Sequence, residues 1–467
     1  MRIIHLDVNG WQARFDNGFD DDSVIRIADA LGLLWADEHP GATVLVGRDG
    51  RYRADHYMEL AGSVLASYGL VVKISDRPCP TPALAWCAAH DESCVGALML
   101  TASESSCEYG GVLVRGADGG AVSSSFLASV NRLMPNEATQ DRGPVMRADF
   151  VTPYIEGILA DLDVEAIRAA HFKVVADPMY GAAMDAVRPL LEALGCEVSY
   201  LHAVPAPDFV GIHPVPTEPW VDKCERQVIE KQAHCGIVLD GDADRAALID
   251  EQGRLVTRHN MVPLLVRYLY EDRGMDGRVV VTTATTMRVR RQAERFSREV
   301  TVVPVGFERI YEEVKEGDVM LATEKYGGIC IPSHLHERDG LYACLLVMEL
   351  MAKKGRSLSS LVESLQEAVG PMDYFQKDLR LDGATLQRLR NILPGLNPAS
   401  VAGRVPFAVS HVDGTRLEFE DGAWVLLRVS RAKPLARVYA EAATHEESQQ
   451  LLDEAVRYAK EYGQPVV

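Results

Sequence analysis

Short apolar runs alternate with amphipathic segments along most of the chain. The runs 43–47, 173–177 and 278–283 are short and rich in valine, which is typical of buried β-strands. After the first run, apolar residues recur at helical spacing and form one face of a predicted helix: Tyr57, Ala61, Val64, Leu65 and Tyr68. Repetition of this strand, loop and helix order predicts parallel sheets covered by helices.

The same pattern predicts further elements. It indicates strands at 70–74 and 95–100, and helices at 82–90, 182–195 and 286–297. The end of the chain differs, because strand-like runs at 407–411, 415–419 and 424–429 precede one long helix at about 445–462. The predicted fold class is α/β, with three helix-covered α/β domains of parallel or mixed sheets and a smaller C-terminal α+β domain.

Polar segments that contain proline or glycine are candidate linkers between these domains. They lie near 135–148, 251–259 and 370–378. Cutting the chain there gives four predicted domains: 1–140, 148–251, 252–370 and 371–467. A chain of 467 residues is long enough for that number of ordinary domains.

Composition and charge exclude several classes of protein. No run of 18 or more apolar residues is present, so we expect no membrane span. A net charge of −19 argues against nucleic-acid binding, which needs a basic surface. The first residues lack the pattern of a secretory signal, and nine scattered cysteines without a CxxC pair fit a reducing compartment. We therefore expect a cytoplasmic protein; no pattern indicates its oligomeric state.

The segment 237–250 carries the strongest chemical signal. Its carboxylates Asp240, Asp242 and Asp244 alternate with small residues and are followed by Arg245. Apolar runs on both sides predict that this acidic loop joins two buried strands. Clustered carboxylates repel one another unless a cation neutralises them, and oxygen ligands suit Mg²⁺. The alternative is a solvated acidic turn.

An EF-hand is a less suitable interpretation of the same loop. Glu251 falls where the twelfth ligand of an EF-hand would lie, but the sixth position requires glycine and holds Arg245. The predicted flanks are also strands rather than helices. An arginine beside a metal loop instead suggests a nearby anionic group such as phosphate.

A second segment of interest is 98–111, where an apolar strand leads into a loop rich in hydroxyl groups. Ser103 in this loop is a candidate nucleophile or phosphorylated residue, held against the metal. The alternative is a serine-rich turn or helix cap. Its spacing alone favours the turn.

Together the two loops resemble those of the α-D-phosphohexomutases, the phosphoglucomutase and phosphomannomutase family. The main matches, in chain order, are Thr101-Ala102-Ser103 in the serine loop, 240–245 in the D-G-D-[GA]-D-R metal loop, Thr323-Glu324 with Gly327 in the sugar loop, and 428–437 in the phosphate loop. Smaller matches are Asn9-Gly10-Trp11, 47–49, Asp177-Pro178-Met179, and His334 with Asp339-Gly340. The resemblance extends over essentially the whole chain.

This resemblance implies a mutase with four domains around a central cleft. It implies that Ser103 carries a phosphate between C1 and C6 of a hexose phosphate through a bisphosphate intermediate, assisted by Arg245. One Mg²⁺ per chain would be held by Asp240, Asp242, Asp244 and Ser103, with a bisphosphorylated hexose as activator. The implied substrate-binding residues are Glu324, Arg428, Ser430 and Arg437.

Several positions depart from the family pattern and support an alternative. Glu104 stands where the family has a histidine after the serine, and Leu113 stands where it usually has a lysine. Tyr326 replaces the serine of the sugar loop, and residues 431–433 replace the Gly-Thr-Glu core of the phosphate loop. The alternative is a catalytically weak or inactive homologue that binds sugar phosphate or metal. Glucose, mannose and glucosamine phosphates are all open as ligands. His334 and His336 have no ligand partners at metal spacing, so we expect them at the surface or cleft rim.

Overall fold

The computed structural model describes residues 4–324, 327–430 and 434–462, which form four units in chain order. Each unit is built around one sheet, and the first three combine parallel strands with helices, as predicted. Among these residues, no helix is both long enough and apolar enough to cross a membrane. The predicted fold class is confirmed; the exact boundaries between domains stay predictions.

The first unit contains a six-stranded mixed sheet of order β1-β5-β4-β2-β3-β6. Its elements are β1 (Trp11–Arg14), α1 (Asp21–Glu38), β2 (Thr43–Arg48), α2 (Ala54–Ser67), β3 (Val71–Ser75), α3 (Thr81–Ala89), β4 (Cys94–Leu100), β5 (Tyr109–Gly116), α4 (Ser124–Leu133) and β6 (Met146–Ala148). Strands β2 and β4 are parallel neighbours. The loops that follow them therefore leave the same edge of the sheet, which brings the segment after Arg48 beside the serine loop.

The second unit contains a five-stranded sheet of order β11-β10-β9-β7-β8. Its elements are α5 (Val151–Asp161), α6 (Val164–Ala169), β7 (Lys173–Asp177), α7 (Met184–Ala193), β8 (Glu197–Tyr200), a 3₁₀ turn (Phe209–Gly211), α8 (Asp222–Lys231), β9 (Cys235–Leu239), β10 (Ala246–Asp250) and β11 (Leu255–Val256). Every residue of β9 and β10 is buried, and the two strands pair antiparallel. The acidic loop is therefore the tip of a buried hairpin, flanked by strands as predicted.

The third unit contains a four-stranded sheet of order β13-β12-β14-β15. Its elements are α9 (Arg258–Glu271), β12 (Arg278–Thr282), α10 (Met287–Arg295), β13 (Val300–Val303), α11 (Phe307–Glu316), β14 (Val319–Thr323), β15 (Ile329–Cys330), α12 (Gly340–Lys354) and α13 (Leu358–Val369). Strand β14 pairs parallel with β12 and antiparallel with β15. The sugar loop of the sequence analysis connects β14 to β15.

The fourth unit is a wholly antiparallel sheet of order β16-β20-β19-β18-β17, with α15 packed on it. Its elements are β16 (Asp373–Leu379), α14 (Gly383–Ile392), a 3₁₀ turn (Leu393–Gly395), β17 (Ala408–Ser410), β18 (Thr415–Glu418), β19 (Trp424–Val429), β20 (Ala436–Ala442) and α15 (His445–Tyr462). The predicted linker 370–378 is largely wrong, because β16 occupies it. This strand lies at the sheet edge and only its last residue is buried, so its sequence is polar.

One apolar core runs through the first three units. Buried residues from each of them pack in a single cluster, for example Leu45, Leu248 and Leu345. The fourth unit has its own core, centred on residues such as Leu389 and Val438. The larger shared core holds the serine loop and the metal loop on a common scaffold.

Candidate active site

The serine loop after β4 and the acidic loop between β9 and β10 meet at the junction of the first two units. The Ser103 hydroxyl donates a hydrogen bond to Asp240 Oδ2 at 3.2 Å, and Arg245 Nη1 donates to Ser103 Oγ at 3.3 Å. A Cβ on Gly241 would lie 2.4 Å from the Ser103 carbonyl oxygen, so glycine is needed for this approach. The structure thus brings Ser103 against two residues of the acidic loop that lie 137 and 142 positions away in the chain.

The three aspartates of the acidic loop are almost completely buried, with carboxylate oxygens within 4.8 Å of one another. Burial and the neighbouring carboxylates hold the pKa of Asp240 well above its ordinary value, and burial, with the charge of Asp244, raises the pKa of Asp242 to about 7. Burial also acts on Asp244, but Arg245 and Arg338 outweigh it and lower the pKa of that carboxyl. The neighbouring arginines therefore compensate the charge of Asp244 but not those of Asp240 and Asp242.

The donor set fits a hard divalent cation. Asp242 Oδ1 and Asp244 Oδ1 are buried and accept no hydrogen bond from any described residue. Buried carboxylate oxygens without a hydrogen bond are costly, and coordination of a cation would satisfy both. Three carboxylates with a serine oxygen beside them form the oxygen-only set that Mg²⁺ prefers.

Arg51 fixes the shape of the serine loop, a role that the sequence analysis missed. Its guanidinium donates to the carbonyl oxygens of Ser103 at 2.5 Å, Ser105 at 2.7 Å and Ser106 at 2.8 Å. Asp49 anchors the guanidinium through Arg51 Nε at 2.9 Å, and both side chains are buried. Because this one side chain holds three carbonyl groups of the loop, Ser103 can keep a left-handed conformation, with φ of 47°.

Thr81 is a second missed residue and lies against the metal loop. At the start of α3, its hydroxyl donates to Asp242 Oδ2 at 2.6 Å and its backbone N–H donates to the Asp242 carbonyl at 2.9 Å. The other oxygen of the same carboxylate is thereby directed into the cluster. A threonine before a proline carries no chemical signal in the sequence, so only the fold identifies it.

Glu104, which stands where the family has histidine, faces the arginine of the metal loop. Arg245 Nη1 donates to Glu104 Oε2 at 2.8 Å, and the same nitrogen contacts the Ser103 hydroxyl. Arg245 also lies 3.5 Å from Asp240 and 3.6 Å from Asp244. Glu104 therefore holds the guanidinium over the serine oxygen.

Glu324 lies at the end of β14 and is nearly buried. Arg338 Nη1 donates to its Oε1 at 2.8 Å, so the carboxylate is held rather than solvated. Lys325 and Tyr326, which complete the predicted sugar motif, lie outside the described residues. Arg338, a further residue that the sequence analysis missed, sits directly before the Asp339-Gly340 match.

Of the predicted phosphate-binding residues, Arg428 lies in β19, Ser430 directly follows it, and Arg437 lies in β20. Arg428 is buried and forms an ion pair with Asp413 at 2.8 Å, and Arg437 lies 3.2 Å from Asp378. Ser430 is buried, and its backbone N–H donates to the Leu435 carbonyl. Arg431 and Lys433, which belong to the segment that replaces the Gly-Thr-Glu core, lie outside the described residues. Both described arginines therefore already contact a carboxylate.

The prediction for His334 is wrong. Its side chain is only 2% exposed, stacks on Tyr342 with ring centroids 3.8 Å apart, and bonds to Asp339 Oδ2 at 3.0 Å. Asp339 caps α12, whose first residue donates its N–H to the Ala243 carbonyl. The histidine therefore belongs to the support of the metal loop, which spacing alone could not indicate. His336 is partly exposed and contacts Asp118.

Comparison with known proteins gives matches along most of the chain. Three family descriptions match in order: phosphoglucomutase/phosphomannomutase alpha/beta/alpha domain I at residues 6–141, domain II at 152–253 and domain III at 257–369. A phosphoglucomutase/phosphomannomutase of Thermococcus kodakarensis is 30% identical over 444 residues, which is 94% of each chain.

Two further proteins extend the comparison. A phosphoglucosamine/phosphogalactosamine mutase of Sulfurisphaera tokodaii is 26% identical over 445 residues, covering 92% of this chain and 93% of its own. The crystal structure of a putative phosphomannomutase from Thermus thermophilus superposes with a TM-score of 0.88 at 29% identity, covering 98% of this chain and 99% of the other.

Proposed function

We propose how the reaction runs on this chain, which belongs to the phosphoglucomutase/phosphomannomutase family and is a phosphohexomutase. Phosphorylated Ser103 passes its phosphate to a hexose monophosphate, and the resulting hexose bisphosphate returns its other phosphate to the serine. In the first transfer the phosphorus–oxygen bond to Ser103 breaks as one to the sugar oxygen forms, and the sugar hydroxyl loses its proton while the serine oxygen gains one. In the second transfer a phosphorus–oxygen bond to the sugar breaks as one to Ser103 forms, and the serine hydroxyl loses its proton while the sugar oxygen gains one. The net reaction interconverts hexose 1-phosphate and hexose 6-phosphate.

One observation carries the proposal: the Ser103 hydroxyl lies 3.2 Å from Asp240, against a buried triad in which two oxygens accept no hydrogen bond from the described residues. A serine that served only as a turn residue would not need a buried cluster of three carboxylates beside it. A dianionic phosphoserine, by contrast, needs compensating positive charge. We propose that Asp240, Asp242, Asp244 and Ser103 hold one Mg²⁺ per chain, which when bound would neutralise the phosphate and polarise its phosphoryl oxygens.

Arg245 has a separate role in this proposal. Because Arg245 donates a hydrogen bond to Ser103 Oγ, it can stabilise the negative charge that shifts between the serine oxygen and the phosphate during transfer. Glu104 keeps the guanidinium in that place through a hydrogen bond that does not involve the metal loop's carboxylates. The site can thus function with glutamate at a position where the family has histidine.

We assign substrate binding to the third and fourth units. Glu324 accepts hydrogen bonds from sugar hydroxyls, and Arg428, Ser430 and Arg437 contact the phosphate that is not being transferred. The pairing of Arg428 with Asp413 implies that phosphate competes with a carboxylate for the guanidinium. Glucose, mannose and glucosamine phosphates are the candidate substrates, with the corresponding bisphosphate as activator.

A second candidate function is binding without efficient turnover. Its support is that both Arg245 and Arg428 already hold carboxylates, which lowers the positive charge available to a substrate phosphate. Phosphorus NMR distinguishes the mutase from the binding protein. The sample contains the protein with Mg²⁺, a hexose 1-phosphate and a trace of the matching bisphosphate. The three sugars are run in parallel, with Ser103→Ala as the control.

Formation of hexose 6-phosphate, lost in Ser103→Ala, is the expected result. Undiminished turnover in that variant would refute the role of Ser103. Sugar phosphate binding in the presence of Mg²⁺ with no conversion of any of the three sugars would support the binding protein instead.

A further inference from the structure

A buried network of charged side chains connects the three α/β units beneath the proposed site. Arg338 Nη2 contacts Asp244 Oδ2 at 2.6 Å, its Nη1 contacts Glu324 Oε1 at 2.8 Å, and its Nε contacts Glu337 Oε1 at 3.1 Å. Glu337 continues the network into the first unit through an ion pair with Arg115 of β5. One guanidinium therefore touches the metal loop and the sugar loop at the same time.

The surroundings of Arg338 leave it little freedom. The residue is 6% exposed, and its guanidinium lies over the Phe307 ring at 4.9 Å. Gly328 of the sugar loop makes room for it, because a Cβ there would lie 2.3 Å from Arg338 Cδ. A planar group with three carboxylates on its edges and an aromatic ring on its face has one orientation.

We propose that Arg338 is a positioning residue that fixes the Glu324 carboxylate relative to the metal loop. It thereby determines which sugar hydroxyls form hydrogen bonds with Glu324. This inference rests on the proposed function. Since Arg338 occupies Glu324 Oε1, hydroxyl recognition falls to Oε2, whose direction then depends on where the guanidinium holds the carboxylate. Because the same guanidinium contacts Asp244, the sugar is placed relative to the proposed metal and phosphate site through one rigid group.

A double-mutant cycle tests whether Arg338 acts through Glu324. The variants are Arg338→Lys, Glu324→Gln and the double variant. Lysine keeps the charge but cannot contact three carboxylates from one planar group. Arg288→Lys is the matched control, since Arg288 is a buried arginine whose partners are Asn260 and the Met372 carbonyl.

We expect Arg338→Lys to lower kcat/KM about 10–100-fold, the usual effect of losing a residue that orients a functional ligand. Glu324→Gln should lower kcat/KM by a similar factor. The kcat/KM of the double variant should be no lower than that of the less active single variant. Both single variants should move the glucose-to-mannose ratio of kcat/KM toward one. Arg288→Lys should leave that ratio unchanged.

Losses that multiply in the double variant, or an unchanged sugar ratio in Arg338→Lys, would overturn the inference. If Arg338→Lys does not fold, Gly328→Ala displaces the side chain while keeping its charge and should change the ratio in the same direction. If the wild-type protein shows no turnover, the proposed function is refuted but the inference about Arg338 is not. The same cycle measured on the Kd of glucose 6-phosphate and mannose 6-phosphate, by calorimetry, then decides the inference.

Discussion

Replacing Gly241 with alanine probes the contact between the serine loop and the metal loop. The new Cβ would lie 2.4 Å from the Ser103 carbonyl oxygen, whereas ordinary van der Waals contacts begin near 3.4 Å. The two loops must therefore separate by about 1 Å. Neither can relieve the contact by rotating a side chain, because the obstructing atom belongs to the backbone and Arg51 holds the same carbonyl.

A separation of about 1 Å has a defined expected effect. Misplacement of reacting groups by that distance lowers the rate about 10²-fold, whereas overpacking of this kind lowers the free energy of unfolding by about 1–3 kcal/mol. We therefore expect Gly241→Ala to remain folded and to lose about 10²-fold in kcat. The assay is the rate of hexose 6-phosphate formation at saturating substrate and Mg²⁺, with thermal unfolding measured in parallel.

Gly383→Ala is the matched control. Gly383 is the first residue of α14, and no atom lies within 4 Å of the position of its Cβ. Alanine there should leave kcat unchanged and the free energy of unfolding equal or up to about 1 kcal/mol higher. A Gly241→Ala variant with the kcat of the wild type would show that the observed contact between the loops is not needed for turnover.

Two further substitutions test the supports of the site. Arg51→Met leaves Asp49 buried without its charged partner, so the free energy of unfolding should fall by about 3–5 kcal/mol, measured by urea denaturation; a fall below about 1 kcal/mol would contradict the reasoning. Thr81→Val removes the 2.6 Å hydrogen bond to Asp242 and should weaken Mg²⁺ binding about 10–100-fold, measured by Mg²⁺ titration of activity. Thr43→Val, which removes a buried hydroxyl in β2 away from the site, should leave that titration unchanged.

The sequence predicted most of the scaffold because hydrophobic periodicity reports burial. Strand β9 and strand β10 are continuous apolar runs and are buried throughout, as expected. Strand β16 falls in a predicted linker because an exposed edge strand has no such run. The pattern therefore fails where a strand is only partly covered, and pairing with β20, rather than the local sequence, determines its structure.

The sequence predicted the two loops of the site but not the residues that hold them. Ser103 and the aspartates lie in compact motifs, and their residue types suggest chemistry directly. Arg51 and Arg338 act on loops that are distant in the chain, and a lone arginine has no spacing that indicates its partner. His334 illustrates the same limit, since its burial depends on Tyr342 and on packing between units. Contacts that close only in the folded chain require the structure.

Transfer of label from a radiolabelled hexose bisphosphate to the protein tests the central claim most directly. After incubation with Mg²⁺, phosphopeptide mapping should place the label on Ser103, and addition of unlabelled hexose monophosphate should remove it. Ser103→Ala should take up no label, whereas Ser105→Ala, which changes the neighbouring hydroxyl bonded to Gln12, should be labelled normally. Label on a residue other than Ser103, or label that the monophosphate does not remove, would contradict the account.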